Sequence, residues 1–326
     1  MMKRVGIRIN LLTFSLLGLL LIGFGFTAVA ATPNYQLTLM KGTEEYIVEH
    51  YDDAAWKATV SPSSSPKQFF QGDANVTGAK SKQTIKGWVD TTFSTYQALL
   101  SLYFSLTEFG AWQLFAKNFT AAGYNETTIN EKYPNEYAAW SGISAEWWFT
   151  KGAYPEAPNS SVTPIVIIKN PSDYKSILDD CNAILEEIRN DLSINLFIKA
   201  FFSLVNKTAD QFAWQLVKYG FGVASPRDSY LEEMVTDLGC VDTKASGSTL
   251  IFNKTGVTDY SIEVTYGSNG ILSTFIVKDA SDNIIYLITS SNSDWLFYTI
   301  LFSFIGAGVV LIVYVIMRKR KIRKST

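Results

Sequence analysis

Trp295–Met317 is a run of 23 residues without a charge, and six of the seven residues from Arg318 to Lys324 are basic. At 1.5 Å of rise per residue, a helix of that length crosses the roughly 30 Å hydrocarbon core of a bilayer. The chain is therefore expected to cross a membrane once, as a helix over 295–317. Trp295, Tyr298 and Tyr314 fall near its two ends, where interfacial aromatics collect. Lys and Arg beside a span stay on the cytoplasmic side, so residues 318–326 are expected inside the cell. Nine residues are too few to fold, which leaves stopping transfer or touching anionic headgroups as roles for the tail. Ser303, Gly306, Ala307 and Gly308 form a small-residue patch through which two copies could pair.

Lys3, Arg4 and Arg8 precede an apolar run from Leu11 to about Thr27, and Ala28-Val29-Ala30 follows. This order predicts a secretory signal peptide over 1–30, cut after Ala30. Left uncut, Leu11–Ala31 would be just long enough to span. Either way residues 31–294 are expected outside the cell, at the cell membrane. The 28 basic and 30 acidic residues hide an asymmetry. Three basic residues lie in 1–30 and six in 318–326, which leaves 19 against 30 acidic in the exported part, a balance of −11. Nucleic acid is excluded as a partner on that ground, because it needs a concentrated basic face.

Cys181 and Cys240 both lie in the exported part, where a pair is expected to be bridged. Asn75, Asn118, Asn125, Asn159, Asn206 and Asn253 each begin an N-x-S/T sequon, as an exported glycoprotein would.

Residues 31–294 are expected to form one α+β domain. Tyr35–Leu39 and Tyr46–His50 flank Lys41-Gly42-Thr43-Glu44 and predict a β-hairpin. Asp52–Thr59 predicts a short helix. Phe93–Leu106 and Leu192–Val205 are apolar runs too short to span and predict buried helices. Phe104-Ser-Leu106 before Ala111-Trp-Gln-Leu114 is echoed by Phe202-Ser-Leu204 before Ala213-Trp-Gln-Leu216, as a decayed repeat or by coincidence. Pro164–Ile168 predicts a buried strand. Ser172 is expected to cap a helix, with Asp173 in its first turn and an apolar stripe of Tyr174, Ile177, Leu178, Cys181, Ile184, Leu185 and Ile188. From Thr249 the alternation predicts four strands, 249–253, 260–266, 271–278 and 284–289, with turns at 267–270 and 279–283. The expected fold is an antiparallel sheet, made of the N-terminal hairpin and the C-terminal meander, with a helical middle across one face and one transmembrane helix after it.

Chemistry is sparse. His50 is the one histidine, which rules out HExxH zinc sites and any site with two His ligands. G-x-S-x-G, G-x-x-x-x-G-K-[ST] and G-x-G-x-x-G are all absent. No cofactor or metal is expected. Paired acids such as Asp179/Asp180 or Glu186/Glu187 are solvated helix faces before they are catalytic pairs. Glu146 is the one carboxylate of interest, because it neighbours Trp147 and Trp148 and lies near Trp140 and Tyr154. An acid among aromatics suits a sugar, though an aromatic core cluster has the same composition.

The layout of signal, acidic sequon-bearing exterior, single span and basic tail resembles the single-pass surface proteins of archaea. The stretch Lys41–Lys57 and the pattern from Tyr266 through Asn269-Gly270 to Asp279 resemble segments of uncharacterised Asgard-archaeal surface proteins. The resemblance implies a location and carries no activity. The expected function is recognition or adhesion, by a type I membrane protein whose exported domain binds a surface protein or a glycan. A tethered hydrolase using carboxylates, or a structural component of the envelope, are the alternatives.

Overall fold

The computed structural model describes residues 34–38, 41–99, 120–191, 193–194, 205–218 and 220–290. The expected signal peptide, the span at 295–317, the basic tail, the small-residue patch, the second half of the first apolar run (100–106) and most of the second lie outside the described residues. Among the described residues, no helix is long and apolar enough to cross a membrane.

Among the described residues, nine strands form one antiparallel sheet in the order β4-β3-β2-β1-β9-β8-β7-β6-β5. They are β1 (Gly42–Tyr51), β2 (Lys80–Ser94), β3 (Glu136–Thr150), β4 (Ser160–Ile168), β5 (Thr243–Ser246), β6 (Thr249–Thr255), β7 (Asp259–Tyr266), β8 (Leu272–Asp279) and β9 (Ile284–Ser290). The helices among the described residues are α1 (Asp53–Thr59), the single turn α2 (Thr95–Ala98), α3 (Glu126–Lys132), α4 (Asp173–Asn190), α5 (Ala209–Lys218) and α6 (Arg227–Leu238).

This half-barrel of strands with a few helices corrects the expected fold. The middle of the chain is not a helical layer: it supplies β2 and β3, both 15 residues long and the longest strands of the sheet. Their sequences carry Thr, Val, Ile, Tyr and Trp at densities that suit a pleated surface, but only one face of each alternates cleanly. Among the described residues the opening hairpin is not formed either. Gln36 makes an isolated bridge to Ser225, with N–H to O distances of 2.9 Å in both directions. Strand β1 pairs instead with β2 and β9. That choice gives both of its edges a partner, whereas a hairpin with Tyr35–Leu39 would fill one of them.

Elsewhere local rules decide local structure. Asp52 caps α1 by accepting the Ala55 N–H at 2.9 Å. The buried residues of α4 are the seven of the expected stripe. Ser172 precedes α4 without capping it, because its hydroxyl donates to Asn170 Oδ1 at 2.8 Å. Along α4 and at its C-cap, three carboxylates hold the preceding segment through tyrosines. Asp180 accepts from Tyr137 at 2.8 Å, Glu187 from Tyr133, and Asp191 from Tyr124 at 3.1 Å. Asp180 also accepts the Asn135 amide at 2.8 Å.

The gap between edge strands β4 and β5 is bridged by helices. Tyr230 on α6 donates to the Ile168 carbonyl at 2.6 Å, and the Ile168 N–H donates to Tyr174 Oη at 3.3 Å. These tyrosines satisfy an edge that would otherwise recruit another strand. Helix α6 packs on β5 and on α4 as well. The inner face of the sheet is the core: Val48, Ile288, Phe275, Val277, Val264, Ile262, Leu250 and Phe252 are at most 2% exposed. The turn 267–270 carries Gly270 at φ +80°, and a Cβ there would lie 2.2 Å from the Val223 carbonyl oxygen. Only glycine lets segment 220–225 dock on that turn, which it does through the Val223 N–H to Gly270 carbonyl bond at 2.8 Å.

The expected disulfide is corrected too: Cys181 and Cys240 are free thiols. Cys181 lies in the apolar stripe of α4, and burial with the charge of Asp180 drives its thiol far from ionising. Cys240 follows the left-handed cap Gly239 of α6. Its pKa is pushed up to about 12 by burial and by Asp210, while Thr243 and Lys254 pull the other way. The two thiols answer to different neighbours.

Candidate functional site

The aromatic–acid cluster around Glu146 is split by the pleat of β3. Neighbouring residues of a strand face opposite sides. Glu146 pairs in register with Gln83, accepts its amide N–H at 3.0 Å, and faces the interior beside Tyr46. Burial first, then the charges of Glu44 and Glu146, keep the buried Tyr46 hydroxyl protonated far into alkali. Glu44, 6% exposed, accepts the Asn269 amide at 2.5 Å. Gln83 therefore stands between the two acids in one cross-strand row, Glu44–Gln83–Glu146.

Trp147 faces outward. Its Nε1–H donates to the Pro155 carbonyl at 3.1 Å, and the Lys82 ammonium lies 4.0 Å from its ring centroid and 5.0 Å from that of Tyr154. A register shift between the pairs Lys82–Trp147 and Lys80–Thr150 inserts an extra residue there. Phe149 consequently enters the core, while Trp148 stays 41% exposed. Trp140 is on the same side of β3 as Glu146 but six residues away, about 20 Å along a strand. The Lys169 ammonium sits 5.1 Å from its ring and pairs with Asp90 at 2.7 Å. The structure thus brings Trp147 and Tyr154 together and leaves Trp140 and Glu146 apart from them.

The outer face of β2–β3 has a character of its own. Val89 is 55% and Ile143 44% exposed, on the same side as Trp147. Ile143 lies opposite Gly87 on β2, so no side chain reaches across it from that strand, and its partner on β4 is Pro164. From Ser141, the partner of Val89, to Trp148 is seven residues, or about 23 Å. Lys80 and Lys82 alternate onto this face, and exposed Lys86 is the extra residue of the bulge between Ile85 and Gly87. Glu45, the cross-strand partner of Lys82, is the acid beside them. Reading Lys80-Ser-Lys-Gln-Thr-Ile85 with period two would have separated Lys80 and Lys82 from Gln83 and Ile85.

Of the sequons, Asn159, Asn206 and Asn253 are exposed. Asn125 caps α3 by accepting the Thr128 N–H at 3.0 Å. Asn75 has its side-chain oxygen buried, and Asn118 lies outside the described residues. His50 is an exposed strand residue opposite Leu287. No group of three potential metal ligands occurs among the described residues. No protein-family model, no curated protein and no solved structure matches the chain.

Proposed function

We propose that the chain is a recognition protein of the cell surface, retained at the membrane by Trp295–Met317, whose exported domain docks an acidic protein partner on the outer face of β2–β3. One observation carries this: an exposed apolar line of Val89, Ile143 and Trp148 runs beside Lys80, Lys82 and Lys86 in a region whose balance is −11. Exposed apolar rows rimmed by charge are the form of protein-binding surfaces, and the sign of the rim selects an acidic partner. The splitting of Glu146 from the tryptophans argues against a sugar-cleaving site there.

The test uses the purified full chain as bait against a membrane extract of its own cells. One stoichiometric acidic protein should be retained, less at high salt, and lost with Ile143→Asp or Trp148→Ala at unchanged melting temperature. Retention that disappears when the extract is deglycosylated would move the assignment to a glycan. Equal retention by the Ile143→Asp variant would sink it.

A further inference from the structure

The inner face has an opening that the outer surface does not explain. Between α5 and the β6–β7 hairpin lies a cavity of about 200 Å³, lined by Gln68, Phe69, Trp214, Lys218, Lys254 and Tyr260, with Ile262 at its floor. Its walls follow from local periodicities. Phe252 and Lys254 are two apart on β6 and share a face, and Ile262 and Tyr260 are their cross-strand partners on β7. Trp214 and Lys218 are four apart on α5 and so lie one above the other. Phe69 follows the single 3-10 turn Pro66–Gln68 and meets Trp214 edge-on, with centroids 5.4 Å apart at 90°. The Trp214 ring meets Phe252 at 5.1 Å.

The charge inside this cavity is one-sided. Lys254 Nζ lies 5.4 Å from the Trp214 centroid and 5.5 Å from that of Phe252. Among the described residues no carboxylate is within ion-pair distance of it, and no acid lines the cavity. Asp210, an acid of the neighbourhood, is engaged elsewhere: it accepts the N–H groups of Val241 at 3.1 Å and Asp242 at 3.0 Å. Burial pulls the Lys254 ammonium below the usual lysine range, against the opposing charges of Asp210 and Asp242. An ammonium held against ring faces and half out of water attracts an incoming anion more strongly than one in bulk solvent. In a region with an excess of acids, this cavity is lined by the Lys254 ammonium, with Lys218 beside it, and by no acid among the described residues.

We propose that this cavity binds a small organic anion. Its carboxylate or phosphate group sits on Lys254 and Lys218, its apolar part lies against Phe69, Trp214 and Ile262, and Tyr260 and Gln68 supply hydrogen bonds. The cavity is smaller than the roughly 300–1,000 Å³ of sites for drug-sized ligands, so the ligand is about the size of a single ring. Lysine ammoniums act as point charges and accept either anionic group, unlike the planar fork of arginine.

Titration calorimetry on the purified full chain tests this with three probes: benzoate, inorganic phosphate and neutral benzyl alcohol. Saturable binding of benzoate or phosphate, weakening with salt, is expected, and benzyl alcohol should give none. The tighter of the two anions identifies the group that the site prefers. Lys254→Met keeps the aliphatic stem on Trp214 and should weaken the better anion about tenfold or more. Lys254→Arg should retain most of the binding. If Lys254→Met lowers the melting temperature, Lys218→Met at the rim takes its place with the same expected direction. Absence of saturable binding for both anions, equal binding of the neutral alcohol, or full affinity in the charge-removed variant overturns the proposal.

Discussion

The two halves of the sheet reach the same architecture by different means. Strands β5 to β9 are four to eight residues long and adjacent in sequence. Their inner residues are apolar throughout the middle of each strand: Leu250, Phe252, Ile262, Val264, Phe275, Val277 and Ile288. Register shifts occur there only beside the turns, at Thr265/Tyr266 and Val277/Lys278. Strands β1 to β4 are nine to 15 residues long. Their inner row includes Glu44, Gln83, Ser144 and Glu146, and a bulge breaks β2 in mid-strand between Ile85 and Gly87. Apolar alternation fixes register in the first set, whereas the second set depends on hydrogen-bonded polar pairs and on glycine. The first set carries the more continuous apolar inner row, and the second presents the outer surface proposed above for docking.

The largest expected effect falls on the regular half. Phe252 is fully buried and packs on Trp214, so Phe252→Ala should cost about 3–5 kcal/mol by removing a ring that its neighbours cannot replace. Val89→Ala in the other half, where the side chain is 55% exposed, should fall within about 0.5 kcal/mol of zero. Denaturant unfolding of both variants measures the contrast. Equal midpoints would mean that the two halves do not differ in packing.

Glycine supplies the next effect. A Cβ on Gly142 would lie 3.0 Å from two Trp88 ring carbons, its cross-strand partner. Gly142→Ala should therefore push Trp88 aside at a cost of about 1–3 kcal/mol. Gly247 has open space around the corresponding Cβ, but its φ of +56° strains any other residue, so Gly247→Ala tests backbone strain alone. If Gly142→Ala is neutral while Gly247→Ala is not, side-chain crowding in β2–β3 is weaker than the geometry requires.

This contrast also explains what could be read in advance. The meander was legible because Ile262, Val264 and Tyr266 alternate with Ser261, Glu263 and Thr265, and alternation is a local signal. Helix α4 was legible for the same reason, at period 3.6. Strand β2 was not, because Lys80-Ser-Lys-Gln-Thr places polar residues on both faces and its inner partners, Glu44 and Glu146, are themselves polar. The pairing of β1 with β9 joins residues about 240 positions apart, which no local pattern encodes. At the candidate surface, Trp147 and Trp148 were visible as residue types, but the bulge that separates their exposure from Phe149 was not. The cavity was invisible, since Phe69, Trp214 and Lys254 meet only when α5 covers the inner face. The disulfide was expected from compartment alone, and the apolar stripe that buries Cys181 was the contrary signal.

The tyrosines that tie the segment from Tyr124 into β3 to α4 and its C-cap should make that tie sensitive to alkali. Tyr124 is raised to about 12, by burial first and then by its bond to Asp191 and the charges of Asp191 and Glu187. A hydroxyl whose folded pKa exceeds its unfolded value near 10 contributes stability that is complete below pH 10 and lost as pH rises to about 12. Tyr133 and Tyr137, raised by the same causes, extend that loss upward. Tyr124→Phe should cost about 1 kcal/mol at neutral pH and flatten the fall in stability between pH 10 and 12. Thermal unfolding over that window measures it. An unchanged slope in the variant would show that the tie between Tyr124 and α4 does not govern the alkaline transition.

The smallest effects distinguish ion pairs in the two halves. Lys278 and Glu263 meet at 2.5 Å with side chains 21% and 23% exposed. Lys169 and Asp90 meet at 2.7 Å with 35% and 74% exposed. Water screens the second pair more, so a double-mutant cycle on Lys278 and Glu263 should give a coupling of about 0.5–1 kcal/mol, and one on Lys169 and Asp90 about 0–0.5 kcal/mol. The Lys169 ammonium also lies over Trp140, so its removal takes away a cation–ring contact that the cycle with Asp90 does not count. Lys169→Met should therefore destabilise by more than its coupling to Asp90, while Lys278→Met should roughly match its coupling to Glu263. If both lysines simply match their couplings, the aromatic contact contributes nothing, and the irregular half loses one of the side-chain devices that stand in for apolar alternation.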